Sequence, residues 1–168
     1  MTVVHIERFD DPRLAAYRGV ADAELMERSG LFVGEGRLVV SRLVDARHRV
    51  RSVLVNAASY SALAPSLQRL DASVPVYVCD TDDFSRITGF NLHRGCLALA
   101  ERPEARDPRE VIRTARLLVV LEGVTDADNV GSAFRNAAAF GASVLLSPAC
   151  CDPLYRKAIR TSMGAALR

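Results

Sequence analysis

The 168-residue chain lacks several features that would assign it to common classes of protein. No apolar run approaches the roughly 18 residues that a membrane helix needs. The first ten residues lack the basic start and apolar core of a secretory signal peptide. The four cysteines form no Cys-x-x-Cys pair and have no histidine at zinc-ligand spacing, so we expect reduced structural thiols and no metal site. These absences predict a cytoplasmic globular protein without a membrane partner.

The motifs of several common enzyme classes are also missing. No Gly-x-Gly-x-x-Gly follows a predicted strand, and no Walker-type Gly-Lys-Ser/Thr is present. No serine stands in a nucleophile elbow, and the three histidines, His5, His48 and His93, lie in unrelated places. Hydride transfer, nucleotide hydrolysis and serine hydrolysis therefore have no support in the sequence.

Lysine is nearly absent, since the 22 basic residues include only Lys157. Arginine binds phosphate through a planar fork of N–H donors. GC-rich coding would enrich arginine in the same way, and the formal net charge is only +2. Composition alone therefore leaves open whether the arginines serve a phosphate-bearing partner.

Alternating helical and extended patterns predict two α/β units. Residues 101–108 are polar, carry two prolines and lack periodicity, so they are read as a linker between residues 1–104 and 105–168. In the first unit, helical segments over 13–28, 38–44 and 57–70, the last broken near Pro65, alternate with strands. The predicted strands cover residues 31–34, 50–55, 74–79 and 95–100. We expect a small α/β sandwich.

The second unit contains the most informative stretch. Residues 117–121 form a short continuous apolar run, which is typical of a strand buried on both faces. A polar loop follows, and Asn129 is predicted to cap the helix that runs to Phe140. Open α/β sheets place their sites in loops at the carboxyl ends of parallel strands. Asn129 and Arg135 are therefore candidate site residues.

Only one further strand, over 143–147, and one helix, over 153–162, are predicted after this point. A βαβ sheet of this kind normally has five or more strands, because two strands with their helices cannot bury it. We therefore expect residues 105–168 to be part of a larger domain.

Gly131 and Arg135 lie four residues apart and share a face of the predicted helix. Glycine in the first turn of a helix costs about 0.5–1 kcal/mol relative to alanine, so close approach of a ligand or of another backbone would explain it. An arginine behind such a gap can reach a phosphate or sugar at the helix N-terminus. The alternative is a solvated arginine on an ordinary surface helix with an incidental glycine.

Residues 129–141 resemble the first conserved motif of the SpoU/TrmH family of RNA 2'-O-ribose methyltransferases, in the SPOUT superfamily. That motif runs Asn-x-Gly-x-x-x-Arg, then small residues, then Phe-Gly, and all of it is present. Residues 152–165 resemble the segment that leads into the family's third strand. Residues 30–43 and 89–98 resemble the start and the closing strand of a substrate-binding domain with a ribosomal-protein-like α/β fold. The resemblance spans nearly the whole chain.

The resemblance implies transfer of a methyl group from S-adenosylmethionine to a ribose 2'-hydroxyl of ribosomal or transfer RNA. Asn129 and Arg135 would line the catalytic site, where the family's arginine is proposed to assist deprotonation of the hydroxyl. A guanidinium keeps its proton at physiological pH, whereas a phosphate clamp that orients the hydroxyl needs no deprotonation. We therefore favour the role of Arg135 as a phosphate clamp over its role as a base.

The candidate RNA contacts in the first unit are Arg37, His93 and Arg94, which lie near glycine-containing turns. The alternative is that they are solvated surface residues.

Family members continue with a Gly-x-Glu segment and a later Pro…Ser-Leu-Asn motif, which tie a deep trefoil knot, hold the cofactor and build a homodimer. Such knots are rare exceptions to unthreaded topology. The cofactor-binding residues are therefore expected beyond Arg168. The 168-residue chain alone is expected neither to bind S-adenosylmethionine nor to catalyse transfer, and the homodimer is expected only of the complete enzyme.

Two alternatives belong to other functional classes. The chain could be a standalone RNA-binding module of ribosomal-protein type, whose C-terminal part takes no role in catalysis. It could also bind a small phospho-ligand at the N-terminus of the helix that begins near Asn129, which RNA binding with a steep salt dependence would argue against. The reading frame after codon 168 decides between the enzyme and the RNA-binding module. An open frame that encodes the Gly-x-Glu and Ser-Leu-Asn segments would support the enzyme, and a natural stop would support the module.

Overall fold

The computed structural model of the protein describes residues 1–18, 21–46, 48–88 and 95–168. The chain divides into two compact units, Met1–Arg102 and Pro103–Arg168. Two of the candidate RNA contacts, His93 and Arg94, lie outside the described residues and stay predictions.

The first unit contains a mixed five-stranded sheet with the strand order β1-β4-β3-β5-β2. Strands β1, β4 and β3 are parallel, whereas β5 runs antiparallel to both β3 and β2. The carboxyl ends of β2, β3 and β4 therefore meet the amino end of β5 at one edge of the sheet. The strands are β1 Thr2–His5, β2 Leu31–Glu35, β3 Val50–Asn56, β4 Pro75–Cys79 and β5 Cys96–Glu101.

Helices cover both faces of this sheet, so its central strands are buried on both sides. Leu54 packs in the cluster formed with the first and last helices of the unit, while its neighbours Val53 and Val55 are also fully buried. Burial on both faces explains why residues 53–55 of β3 are three consecutive apolar residues. The helices are a short 3₁₀ helix Pro12–Tyr17, α1 Asp22–Ser29, α2 Arg37–Asp45, α3 Ala57–Leu67 and α4 Thr81–Thr88.

The predicted break of the third helix near Pro65 is wrong, because Pro65 lies inside α3. A proline in a helix leaves the carbonyl four residues earlier without its hydrogen bond. That residue is Ser61, which is exposed, as is Pro65 itself. Water can therefore satisfy the freed carbonyl, and the helix continues for two more residues.

The second unit is a βαβ arrangement on a two-stranded parallel sheet, with Leu118 opposite Ser143 and Leu121 opposite Leu146. Val130 is fully buried on its central helix, as is Ile159 on its last helix. Apolar side chains remain at the surface, with Val120 63% and Phe140 77% exposed. The elements are α5 Pro108–Thr114, β6 Leu118–Leu121, α6 Ala127–Ala139, β7 Ser143–Leu146, α7 Arg156–Thr161 and a 3₁₀ turn Ala165–Leu167.

The fold is thus α/β with a mixed sheet in the first unit. Among the described residues, none of the helices combines the length and apolar character that crossing a bilayer requires. In the same ranges, no three histidine, cysteine or carboxylate side chains are grouped in a way that could hold a metal ion.

Candidate functional site

The loop after β6 leads directly into α6, and Asp126 caps that helix. The backbone N–H of Asn129 donates to the Asp126 carboxylate over 2.9 Å. The prediction that Asn129 is the N-cap is therefore wrong, because the helix begins at Ala127 and Asn129 is its third residue. Aspartate and asparagine are about equally good caps, and the residue placed earlier in the loop takes the role. Asn129 itself is exposed on the first turn.

Gly131 is buried where α6 meets α7. A Cβ atom at Gly131 would lie 2.5 Å from the backbone oxygen of Ala158 and 2.9 Å from the Cβ of Thr161. Of the two explanations offered by the sequence, approach of another backbone accounts for this glycine. Gly131 fixes the distance between the two helices and does not open a gap for a ligand.

A hydrogen bond and an ion pair also join α6 to α7, at the first turn of α6, which carries Asn129. The Thr161 hydroxyl donates to one carboxylate oxygen of Asp128 over 2.7 Å, and the Lys157 Nζ lies 2.9 Å from the other. The hydrogen bond from Thr161, followed by that from Lys157, lowers the pKa of Asp128. We call Asp128, Lys157 and Thr161 the α6–α7 clamp. The sequence pattern did not identify this contact, because its partners lie about 30 residues apart.

The α6–α7 clamp predicts that the free energy of unfolding depends on pH in the acid range. Because the pKa of Asp128 is lower in the folded chain than its ordinary 3.8, the clamp stabilises the fold above that value and is lost as pH falls through the folded pKa. We expect Asp128→Asn to remove this part of the acid sensitivity. Urea unfolding of Asp128→Asn and of the unmodified chain between pH 2 and pH 6 measures this difference. Identical dependence of stability on pH in the two proteins would contradict the role given to Asp128.

Arg135 lies one turn beyond Gly131, with its side chain exposed. Within the described ranges its guanidinium makes neither a hydrogen bond nor an ion pair, and all its donors remain available to a ligand. Asn129 and Arg135 stand six residues apart, which places them about 9 Å apart along the helix and about 120° around it. They share α6 but are not brought into direct contact within the unit.

In the first unit, Arg37 begins α2 at the sheet edge where the carboxyl ends of β2, β3 and β4 meet. Its Nε donates to the Ser59 hydroxyl in the first turn of α3 over 3.1 Å. Asn56 caps α3, and it packs so closely on Gly95 that a Cβ there would collide with the side-chain amide of Asn56. One nitrogen of the exposed Arg37 is thus anchored to the first turn of α3.

A cavity of about 790 Å³ lies at the opposite end of the first sheet, near the start of β3. Three arginines line it, and carboxylates contact all of them: Arg49 and Arg51 share Glu101, and Arg69 contacts Asp45, while Asp71 adds a third carboxylate to the lining. The lining therefore has no clear excess of either charge, and it contains none of the candidate site residues.

Comparison with known proteins gives a consistent result. Residues 116–168 match the model of the SpoU rRNA Methylase family. The chain is 38% identical over 163 residues to an uncharacterized tRNA/rRNA methyltransferase of Mycobacterium tuberculosis, covering 94% of this chain and 56% of that protein. It is 32% identical over 145 residues to the 23S rRNA (guanosine-2'-O-)-methyltransferase RlmB of Xylella fastidiosa, covering 81% and 58%.

The fold matches that of a solved rRNA methyltransferase from Sinorhizobium meliloti, whose crystal structure contains bound AdoMet. The TM-score is 0.79 at 20% sequence identity, over 98% of this chain and 62% of that one. At this identity the likeness establishes the fold alone. The chain spans a little over half the length of the curated relatives it matches.

Proposed function

We propose that the chain, whose residues 116–168 match the SpoU rRNA Methylase family model, belongs to that family and forms part of an enzyme that methylates RNA at the ribose 2'-hydroxyl. Ribosomal or transfer RNA is the substrate, and S-adenosylmethionine is the methyl donor. The names of the Mycobacterium and Xylella relatives and the AdoMet in the Sinorhizobium structure support these choices. The observation that carries the proposal is the exposed guanidinium of Arg135, which is unpaired among the described residues, on the helix whose third residue is Asn129.

The described residues of the second unit do not fit the cofactor by themselves. Its two-stranded sheet leaves Val120 and Leu117 more than half exposed, so these residues do not enclose a pocket for an adenosyl group. We place the cofactor in residues beyond Arg168, within a trefoil-knotted domain that forms a homodimer in the cytoplasm. The 168-residue chain alone is then inactive.

What this chain contributes is the positioning of RNA. Arg135 binds the phosphate beside the target ribose through two N–H donors, which orients the 2'-hydroxyl without any loss of the guanidinium proton. Asn129, with an amide that both donates and accepts, fixes the sugar at the helix N-terminus. In the first unit, which we assign to the ribosomal-protein-like class, Arg37 contacts RNA phosphates together with His93 and Arg94.

The test is methyl transfer by the full-length gene product. Tritiated S-adenosylmethionine and ribosomal or transfer RNA should yield labelled RNA in which the bond after the methylated ribose resists alkaline hydrolysis. Methyl groups found on bases would overturn the proposal. RNA binding without transfer by the full-length product would favour the standalone RNA-binding module instead.

RNA binding by the 168-residue chain provides a narrower prediction. Replacing Arg37 by glutamine should weaken binding to folded RNA and reduce the slope of log K against log salt by about 1, because one phosphate contact is lost. Fluorescence anisotropy at 50–200 mM salt measures this slope. The matched control is Arg28→Gln, which removes an exposed arginine that pairs with Glu24 on α1. Equal slopes for Arg37→Gln and the unmodified chain would contradict the contact.

A further inference from the structure

Cys150 lies where the loops that follow β6 and β7 meet. We define the site loop as residues 122–126, which connects β6 to the Asp126 cap of α6, and the thiol loop as residues 147–151, which follows β7. The Cys150 thiol donates to the backbone oxygen of Leu121 over 3.2 Å, and its sulfur accepts from the backbone N–H of Val124 over 3.4 Å. One side chain thus contacts both the last residue of β6, which precedes the site loop, and the residue at the middle of that loop.

Neighbouring groups reinforce this connection. The Ser147 hydroxyl accepts from the backbone N–H of Gly123 over 3.2 Å and lies 3.6 Å from the Cys150 sulfur. The backbone N–H of Cys151 donates to the oxygen of Val124 over 2.8 Å. Polar contacts from the thiol loop therefore reach the N–H of Gly123 and both the N–H and the backbone oxygen of Val124.

The site loop has little else to hold it. Four of its five residues are exposed, and only Val124 is half-buried. Burial of apolar side chains therefore contributes little to its conformation. Gly123 has a positive φ of 64°, and open space surrounds the position that a Cβ would take. Neither packing nor backbone crowding fixes the path to Asp126, which leaves the hydrogen bonds of the thiol loop to do so.

From this geometry we infer that Cys150 is a positioning residue for the proposed RNA methylation, acting through the site loop on the N-terminus of α6. The role rests on the proposed function. The thiol fixes Leu121 and Val124, these fix Asp126, and the Asp126 carboxylate fixes the backbone of Asn129. A displaced loop would move the first turn of α6, and with it Asn129, relative to the bound ribose.

The electrostatics of the thiol agree with this arrangement. Partial burial opposes ionisation of Cys150, but the Ser147 hydroxyl and the amides of Val124, Ser147 and Gly123 favour the thiolate, and the net result is a lowered pKa. Cys151 is the matched neighbour: it is also half-buried, and its thiol donates to the backbone oxygen of Asp152.

The first measurement is amide hydrogen exchange in the 168-residue chain. Cys150→Val should accelerate exchange at Gly123 and Val124 by about 5- to 10-fold, since hydrogen bonds of ordinary strength are lost. Cys150→Ser, whose hydroxyl can donate and accept, should restore most of the protection. Cys151→Val should leave it unchanged. Unchanged exchange in Cys150→Val, or equal acceleration in Cys151→Val, would overturn the inference.

The second measurement is steady-state methylation by the full-length gene product. Cys150→Val should lower kcat by about tenfold or more, because the reacting groups are misaligned, while the KM for RNA changes less than twofold. Cys150→Ser should recover kcat. Faster exchange without a loss of kcat would overturn the positioning role. Absence of methylation by the unmodified protein would instead refute the proposed function, and in that case the exchange data still decide whether Cys150 fixes the loop.

Discussion

Replacement of Arg135 by alanine in the full-length gene product is expected to lower the kcat for RNA methylation by about 10²–10³-fold. This is the range found when one preorganised donor to a reacting group is removed. The reason lies in the exposed guanidinium, which has no partner among the described residues and is thus free to bind the phosphate beside the target ribose. Steady-state kinetics with tritiated S-adenosylmethionine measure the effect.

Two further variants make this prediction specific. Arg135→Lys keeps the charge but loses the planar fork, and we expect it to recover only a small part of the activity. Arg113→Ala removes an exposed arginine of α5, a different helix of the same unit, and should leave kcat within about twofold of the unmodified protein. If Arg135→Lys retained both turnover and RNA affinity, Arg135 would be neither a phosphate clamp nor a base.

Substitution of Gly131 is expected to have the largest effect on stability. In Gly131→Ala the new Cβ would meet the backbone oxygen of Ala158 at 2.5 Å, and a backbone cannot move aside as a flexible side chain can. The better helix propensity of alanine returns up to ~1 kcal/mol, but overpacking of this kind typically costs about 1–3 kcal/mol. We expect a net loss, and Gly131→Val should separate α6 from α7 altogether.

Amide exchange measured across α6 and α7 tests this prediction, with β3 of the first unit as the internal reference. Gly131→Ala should accelerate exchange in both helices while β3 remains protected. Ser132→Ala, an exposed position on the next residue of the same helix, should keep or slightly increase protection. Protection in Gly131→Ala equal to that of the unmodified chain would show that α7 moves aside without cost.

The strands that the sequence revealed most clearly are those buried on both faces. Residues 50–55 and 74–79 were predicted as strands, and β3 and β4 occupy Val50–Asn56 and Pro75–Cys79. Burial on both sides requires consecutive apolar residues, which positions 53–55 and 76–79 supply. The edge strand β1, Thr2–His5, was missed because three of its four residues are exposed and its pattern carries no burial signal.

The candidate site was only partly predictable for a related reason. Helix α6 and the exposure of Arg135 follow from local periodicity, whereas the choice between Asp126 and Asn129 as the cap depends on the path of the loop. That path is set by contacts with the thiol loop and with α7, whose partners lie about 30 residues away in sequence. Sequence spacing carries no information on such contacts, so the roles of Cys150, Asp128 and Gly131 required the structure.

The single lysine of the chain has a practical consequence. Reagents that acylate amines find one side-chain target, Lys157, and its ammonium is half exposed beside Asp128. Acetylation would neutralise that nitrogen and leave the carboxylate with Thr161 alone. A single acyl group, added without any mutation, would therefore report on how firmly the helix bearing Asn129 is held, and mass spectrometry would count the modification directly.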